Sequence, residues 1–180
     1  MIDTTTTAAR STASEAAARS PARLYARLTH LLQRIPHSAV ALLARFSIAA
    51  VFWQSGQTKV EGFALNLVSG EFTLGWPRLS DSALALFRDE YRLPLLAPEL
   101  AAPLAAIAEH LLPLALLLGL ATRLSALGLL GMTAVIQVFV YPGAYATHGT
   151  WAALLLYLMV QGPGSLSMDH GLARITATRH

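Results

Sequence analysis

The chain has 180 residues, 54% of them hydrophobic and only 13% charged. With a mean hydropathy of +0.51 it falls outside the soluble globular range and reads as one integral membrane domain. It contains no cysteine, which excludes disulfides, thiol relays and thiolate-held metals or clusters, so any redox chemistry belongs to a bound cofactor or a partner chain. The net charge of +3 comes without a nucleic-acid recognition motif, and basic residues beside membrane spans ordinarily set topology, so nucleic acid is not expected as a partner.

Residues 1–20 are rich in Thr, Ala and Ser and have almost nothing to bury, which predicts disorder. Ser20 and Pro21 then form a helix start: the Ser can cap, and at the first position the missing N–H of proline costs nothing. Leu24, Leu28, Leu31, Leu32 and Ile35 recur on one face, with Arg23, Arg27, His30 and Arg34 largely elsewhere, until Pro36. This predicts a basic amphipathic helix suited to an anionic leaflet; a solvated juxtamembrane tail or a transit peptide shares the composition.

A first span is predicted over residues 38–60, with Arg45 inside it and Trp53, Gln54, Ser55, Gly56 and Lys59 near its far end. The Trp suits an interface, and the Lys can extend its ammonium to water. Residues 61–97 make a long polar connection. Within it Ser80 or Asp81 can cap a short helix presenting Ala83, Leu84, Phe87 and Tyr91 along one side, and residues 63–74 are too apolar for a freely solvated loop. Both pieces are expected to cap the bundle. The second span, 98–121, carries Glu109 and His110 at its middle, and Pro113 cannot bond the Glu109 carbonyl. A tight turn through Gly119, Thr122 and Arg123 leads into the third span, 124–141, where Gly128 and Gly131 give a narrow surface and Gln137 an amide. The fourth, 148–162, is short for a crossing and must lean on its neighbours or begin near Tyr145.

The predicted architecture is therefore all-α: a four-transmembrane-helix bundle with an amphipathic N-terminal helix and a long capping connection between helices 1 and 2. Residues 1–37 form the tail and interfacial helix, 38–162 the membrane domain and 163–180 a C-terminal tail. Arginines concentrate before the first span, at Arg123 and after the last span, whereas the long connection is acidic on balance, which puts both termini in the cytoplasm.

An acid at mid-helix costs roughly 2.5–3.5 kcal/mol to insert, so Glu109 needs a partner or a proton. Arg45 lies roughly 10 Å and Glu109 roughly 16 Å from the cytoplasmic ends of their spans, and an arginine side chain covers the difference. A buried Arg45–Glu109 pair is predicted. It either fixes helix packing or lines a cavity for a proton, a quinone head or a small anion, so Glu109, Arg45 and His110 are the catalytic candidates. His110 points about 100° away from Glu109 and suits backbone bonding as well as ligation. Gln54, Gln137 and His148 fall toward the outer half, where they could gather beneath the long connection and bond a quinone carbonyl, although such groups more commonly serve as helix glue. No metal-ligand spacing, phosphate loop, dinucleotide fingerprint or Ser-His-acid pattern stands out, and no metal site is expected.

Three stretches resemble one known family. Arg45-Phe46 followed by Phe52-Trp53-Gln54-Ser55-Gly56-Gln57-Thr58-Lys59 resembles the first helix of the DoxX family, and Ala108-Glu109-His110 followed by Leu118-Gly119-Leu120-Ala121-Thr122-Arg123 resembles its second helix and basic turn. The Gly162-Pro163-Gly164-Ser165-Leu166-Ser167-Met168-Asp169-His170 segment resembles its C-terminal motif, so the likeness covers residues 40–174. It implies a small four-helix protein of the bacterial inner membrane, with Arg45, Gly56, Lys59, Glu109 and Asp169 at the family's recurring polar and glycine sites. Many relatives have Gly where His110 stands. Some members resemble quinone-reducing subunits of thiosulfate oxidation, and others resemble membrane partners of a superoxide dismutase and a sulfurtransferase. The Thr147-His148-Gly149-Thr150-Trp151 stretch is similar to a branch linked to metal-responsive peptide maturation. The expected role is thus membrane anchor or accessory subunit of an oxidoreductase or stress complex, with a quinone-reducing subunit and a small transporter as alternatives. The expected partners are the bilayer, soluble or membrane proteins and a second copy of the chain; quinone is the one cofactor suggested.

Overall fold

The computed structural model describes residues 21–66 and 70–177, so the disorder expected of residues 1–20 lies outside the described residues. The chain divides into two compact units, one ending at His37 and one beginning at Ser38. In the first, helix α1 (Pro21–Leu32) leaves Leu24, Leu28, Leu31 and Leu32 exposed.

Helix α2 (His37–Gln57), all but its first residue in the second unit, is followed by strands β1 (Val60–Asn66) and β2 (Glu71–Leu79). A short helix α3 (Asp81–Ala85) then runs into a π turn (Leu86–Tyr91), and α4 (Pro98–Leu118) precedes α5 (Thr122–Val135), which itself ends in a π turn (Ile136–Val140). Finally come α6 (Tyr145–Gln161) and α7 (Met168–Ala177). Among the described residues, three helical stretches, His37–Gln57, Pro98–Leu118 and Thr122–Val140, are long and apolar enough to cross a membrane. With 17 residues, α6 is about 25 Å long and falls short of a hydrocarbon core of about 30 Å.

The core lies where these helices meet: Ile48 and Phe52 of α2, Leu116 of α4, Ala126 and Leu129 of α5, and Leu155 and Leu158 of α6 are all buried together. Leu43, Leu111, Leu124 and Val160 point outward and are well exposed, the surface that a lipid solvent allows. Gly128 lets α5 approach α4 closely, since a Cβ there would come within 2.8 Å of Leu112 Cδ1. Gly131 has nothing within 4 Å of that position, so its role is to leave space.

The connection between the first two spans departs from an all-α plan. It opens with an antiparallel hairpin, β1 against β2, built on aromatic and β-branched residues such as Val60, Phe63, Phe72, Thr73 and Trp76. The register shifts between Glu61 and Phe63 at Gly62, whose φ of +80° and close approach to the Trp76 carbonyl leave no room for a side chain. The second half of the connection does form the expected capped helix. Ser80 Oγ accepts from the Ala83 amide at 3.1 Å, and Phe87 packs on Ala101 and Ala102 of α4 with Leu84 and Tyr91 beside it.

Residues 163–177 are likewise more than a tail. Asp169 accepts from the amides of Ala121 and Thr122, at 2.7 and 2.9 Å, and its own amide donates to the Gly119 carbonyl at 2.9 Å. One carboxylate therefore caps α5 from a distant segment, which the turn needs because Gly119 and Ala121 both have positive φ and Ala121 offers no side-chain cap.

Candidate functional site

Glu109, in the middle of α4, is 3% exposed, and its partner is Lys59 rather than Arg45: Lys59 Nζ lies 2.7 Å from Oε2. Lys59 does not extend to water. After α2 ends, its amide donates back to the Gly56 carbonyl and its side chain folds along the helix, donating to Ser55 O at 3.3 Å and Ser55 Oγ at 3.0 Å. The predicted Arg45 pairing fails because it set the two spans flush. In fact α2 ends alongside Glu109, and the first turns of α4 continue past it to pack on the π turn after α3. Gly56 makes this meeting of helices fit: a Cβ there would lie 2.8 Å from His110 Cε1 and 3.1 Å from Glu109 Cβ.

Arg45, fully buried, serves the opposite end of the bundle. Its Nη1 donates to the Leu117 carbonyl at 3.1 Å and its Nη2 to the Leu166 carbonyl, tying the last turn of α4 to the segment that carries Asp169. It is a fastening, not a group at the site.

His110 also proves to be a fastening. Its Nδ1 donates to the Ala106 carbonyl at 2.7 Å, which leaves Nε2 to accept from Gln57 Nε2 at 2.9 Å. Gln57 Oε1 accepts from the Leu65 amide, and Trp53 Nε1 donates to the Leu65 carbonyl, so α4, α2 and the hairpin are joined through one imidazole. The His110 ring lies 5.1 Å from the Trp53 ring and 6.4 Å from that of Phe63.

On the other side of Glu109 lies a cavity of about 460 Å³. Phe52, Ala101, Leu104, Ala105, Met132 and Trp151 supply apolar wall, Gly131 supplies space, and the polar groups that reach it are Ser55, Glu109, His148, Tyr91 and Tyr141. His148, 5% exposed, is held by Gln137. The amide Nε2 of Gln137 donates to the Pro142 carbonyl, so its Oε1 faces His148 and accepts from Nδ1 at 2.7 Å. This puts a proton on Nδ1, and Nε2 has no hydrogen-bond partner among the described residues. Of the three groups expected to gather in the outer half, Gln137 and His148 meet, whereas Gln54 faces a different cavity. Among the described residues, no three His, Cys, Asp or Glu side chains lie close enough together to hold a metal ion.

Tyr91 and Tyr141 line the same cavity, their rings 5.9 Å apart, and the Tyr141 hydroxyl donates to the exposed Glu90. That bond pushes the Tyr141 phenol well above its ordinary value of 10.0, and burial raises Tyr91. Folding thus favours the protonated phenols: their contribution is whole below the ordinary tyrosine value and fades as alkali passes it toward the raised ones. In an alkaline ultraviolet titration, these two tyrosines ionise last, and Tyr141→Phe removes one late-ionising phenol; late ionisation unaltered by that substitution would contradict the contact.

A family model described as DoxX matches residues 40–142, more than half of the chain. The match takes in Arg45, Gly56, Lys59, Glu109 and His110 and stops before the Gly162–Asp169 segment. No curated protein and no solved structure matches. The chain is a membrane protein of the DoxX family.

Proposed function

We propose that the protein is the quinone-site subunit of a larger membrane oxidoreductase or stress-defence assembly, with the ring held in the cavity beside Glu109. What carries this reading is one cavity with an apolar wall and two separate hydrogen-bonding stations, the Ser55–Lys59–Glu109 group and His148 Nε2. A ring with an oxygen at each end meets both needs: its faces lie against Phe52, Met132 and Trp151, and its oxygens reach the two stations. Reduction of a quinone to a quinol takes two electrons and two protons. The chain has no cysteine with which to hold a cluster, so in this reading the electrons come from a bound cofactor or a partner chain. The protons pass through its own side chains. Neutral His148 accepts from a quinol hydroxyl and, once protonated, donates to a quinone carbonyl. Glu109 does the same at the other end, with Lys59 holding its carboxylate in place.

The rest of the architecture fits an anchoring role. In this reading α6 is the fourth span, both termini face the cytoplasm of an inner membrane, and α1 lies on the anionic leaflet with Leu24, Leu28 and Leu31 inserted and Arg23 and Arg27 at the headgroups.

The test is a titration of the purified chain in nanodiscs with a short-tailed ubiquinone analogue, followed by quenching of tryptophan fluorescence, since Trp151 lines the cavity. Saturable quenching is expected, weakened about tenfold or more by either Glu109→Gln or His148→Ala, the scale of one buried charge-assisted or neutral bond lost. Linear quenching, the same for the wild type and both folded variants, would mean that the quinone only partitions into lipid.

A further inference from the structure

A second, larger cavity of about 870 Å³ runs beneath the hairpin, along faces of α2 and α4 that the core does not use. Its floor is Phe46, Ala49 and Ala50 of α2 with Pro113, Leu114 and Leu117 of α4, an apolar trough whose depth comes from the two alanines. From Gln57 to Phe46 the trough follows α2 for roughly 16 Å, about half of a hydrocarbon core of roughly 30 Å. At its hairpin end the lining turns polar: Gln54, Thr58 and Thr73 stand beside the carboxylates Glu61 and Glu71, and among the described residues neither Lys nor Arg lines it. Opposite Glu61 in the strand register is Arg78, whereas opposite Glu71 is Asn66, so Glu71 carries the less offset charge.

The hairpin itself gives an independent sign of depth. Phe72, Leu74 and Trp76 alternate onto one face of β2 and are 60%, 82% and 84% exposed. Aromatic residues presented at the end of a set of spans belong at the headgroup level of a bilayer. The groove thus has an acidic, polar lip at headgroup level and an apolar trough one leaflet deep.

We infer that this groove holds a phospholipid with an ammonium headgroup, phosphatidylethanolamine, in the leaflet on the hairpin side. One acyl chain lies along Phe46, Ala49, Ala50 and Leu117, and the ammonium donates to Glu71 and Glu61. An anionic headgroup is repelled by the same carboxylates. A choline headgroup has the charge but no N–H to donate, and so loses the charge-assisted bonds. This site shares no residue with the cavity beside Glu109, and its occupancy does not depend on what that cavity binds.

Native mass spectrometry of the full chain in detergent decides the matter, with equal amounts of phosphatidylethanolamine, phosphatidylcholine and phosphatidylglycerol of one acyl composition. The expected result is retention of phosphatidylethanolamine about tenfold over the other two, the scale of a charge-assisted bond gained. The preference vanishes in the Glu61→Gln, Glu71→Gln double variant, and Ala50→Phe, which fills the trough, releases all three lipids. Equal retention of the three by the wild type, or selectivity that survives the double variant, overturns the assignment. Should Ala50→Phe fail to fold, the double variant at the exposed lip decides alone.

Discussion

Lys59→Met is expected to destabilise the protein by about 3–5 kcal/mol, because it leaves the Glu109 carboxylate buried with no counter-charge. Each half of the pair is almost wholly buried, so a mobile surface side chain cannot replace the lost partner. Glu109→Gln should cost less than Lys59→Met, since Ser55 O and Oγ still accept from the lysine. The double variant Lys59→Met, Glu109→Leu should recover most of the loss, because burying no charge avoids the desolvation of both. Thermal unfolding in detergent, run as a double-mutant cycle, measures the coupling. A Lys59→Met protein as stable as the wild type would show that the two groups do not hold each other.

The second large effect is expected at the other end of the bundle. Asp169→Ala removes two charge-assisted hydrogen bonds from the start of α5; bonds of that kind contribute about 1.5–3 kcal/mol each, and the one from Ala121 is solvent-exposed and so weaker, which gives an expected loss of about 2–4 kcal/mol. The weakening should be local before it is global. Ala121 holds a positive φ with its amide bonded to the carboxylate, and Arg123 lies two residues further on, so loss of that bond should loosen the turn and trypsin should cut after Arg123 much faster in the variant. Asp169→Asn, which keeps one acceptor oxygen, should fall between. Unchanged cleavage at Arg123 together with unchanged stability would remove Asp169 from this role.

Both effects touch residues whose importance was legible in the sequence while their partners were not. Apolar runs marked the three candidate spans to within a few residues, because nothing but helix satisfies the backbone in lipid. Ser80 and Asp81 both marked the α3 cap by local chemistry, and Ser80 is the one that makes it. The partner of Glu109 depended on the offset between α2 and α4, a quantity that no single helix carries, and flush spans led to Arg45. The spacing of Ser55 and Lys59 was the available sign, since a lysine one turn beyond a serine can fold back along its own helix. Gln57 gave no such sign: it binds His110 and the Leu65 amide only because the following residues form a hairpin. That hairpin was hidden by its glycines, which read as loop breakers but at Gly62 make a bulge. Gln137 and His148 were each visible as polar groups near helix ends, and their meeting required the turn at Pro142 that brings α6 back beside α5.

The central claim is that the space between Glu109 and His148 receives a quinone ring, and photolabelling tests it most directly. An azidoquinone is bound to the protein in nanodiscs, irradiated, and the labelled residues are mapped by peptide mass spectrometry. The expected labels fall on the cavity wall, on Phe52, Met132 and Trp151, and competition by unlabelled quinone removes them. Labels confined to the groove beneath the hairpin or scattered over outward-facing side chains such as Leu43 and Leu111, and insensitive to competition, would contradict it.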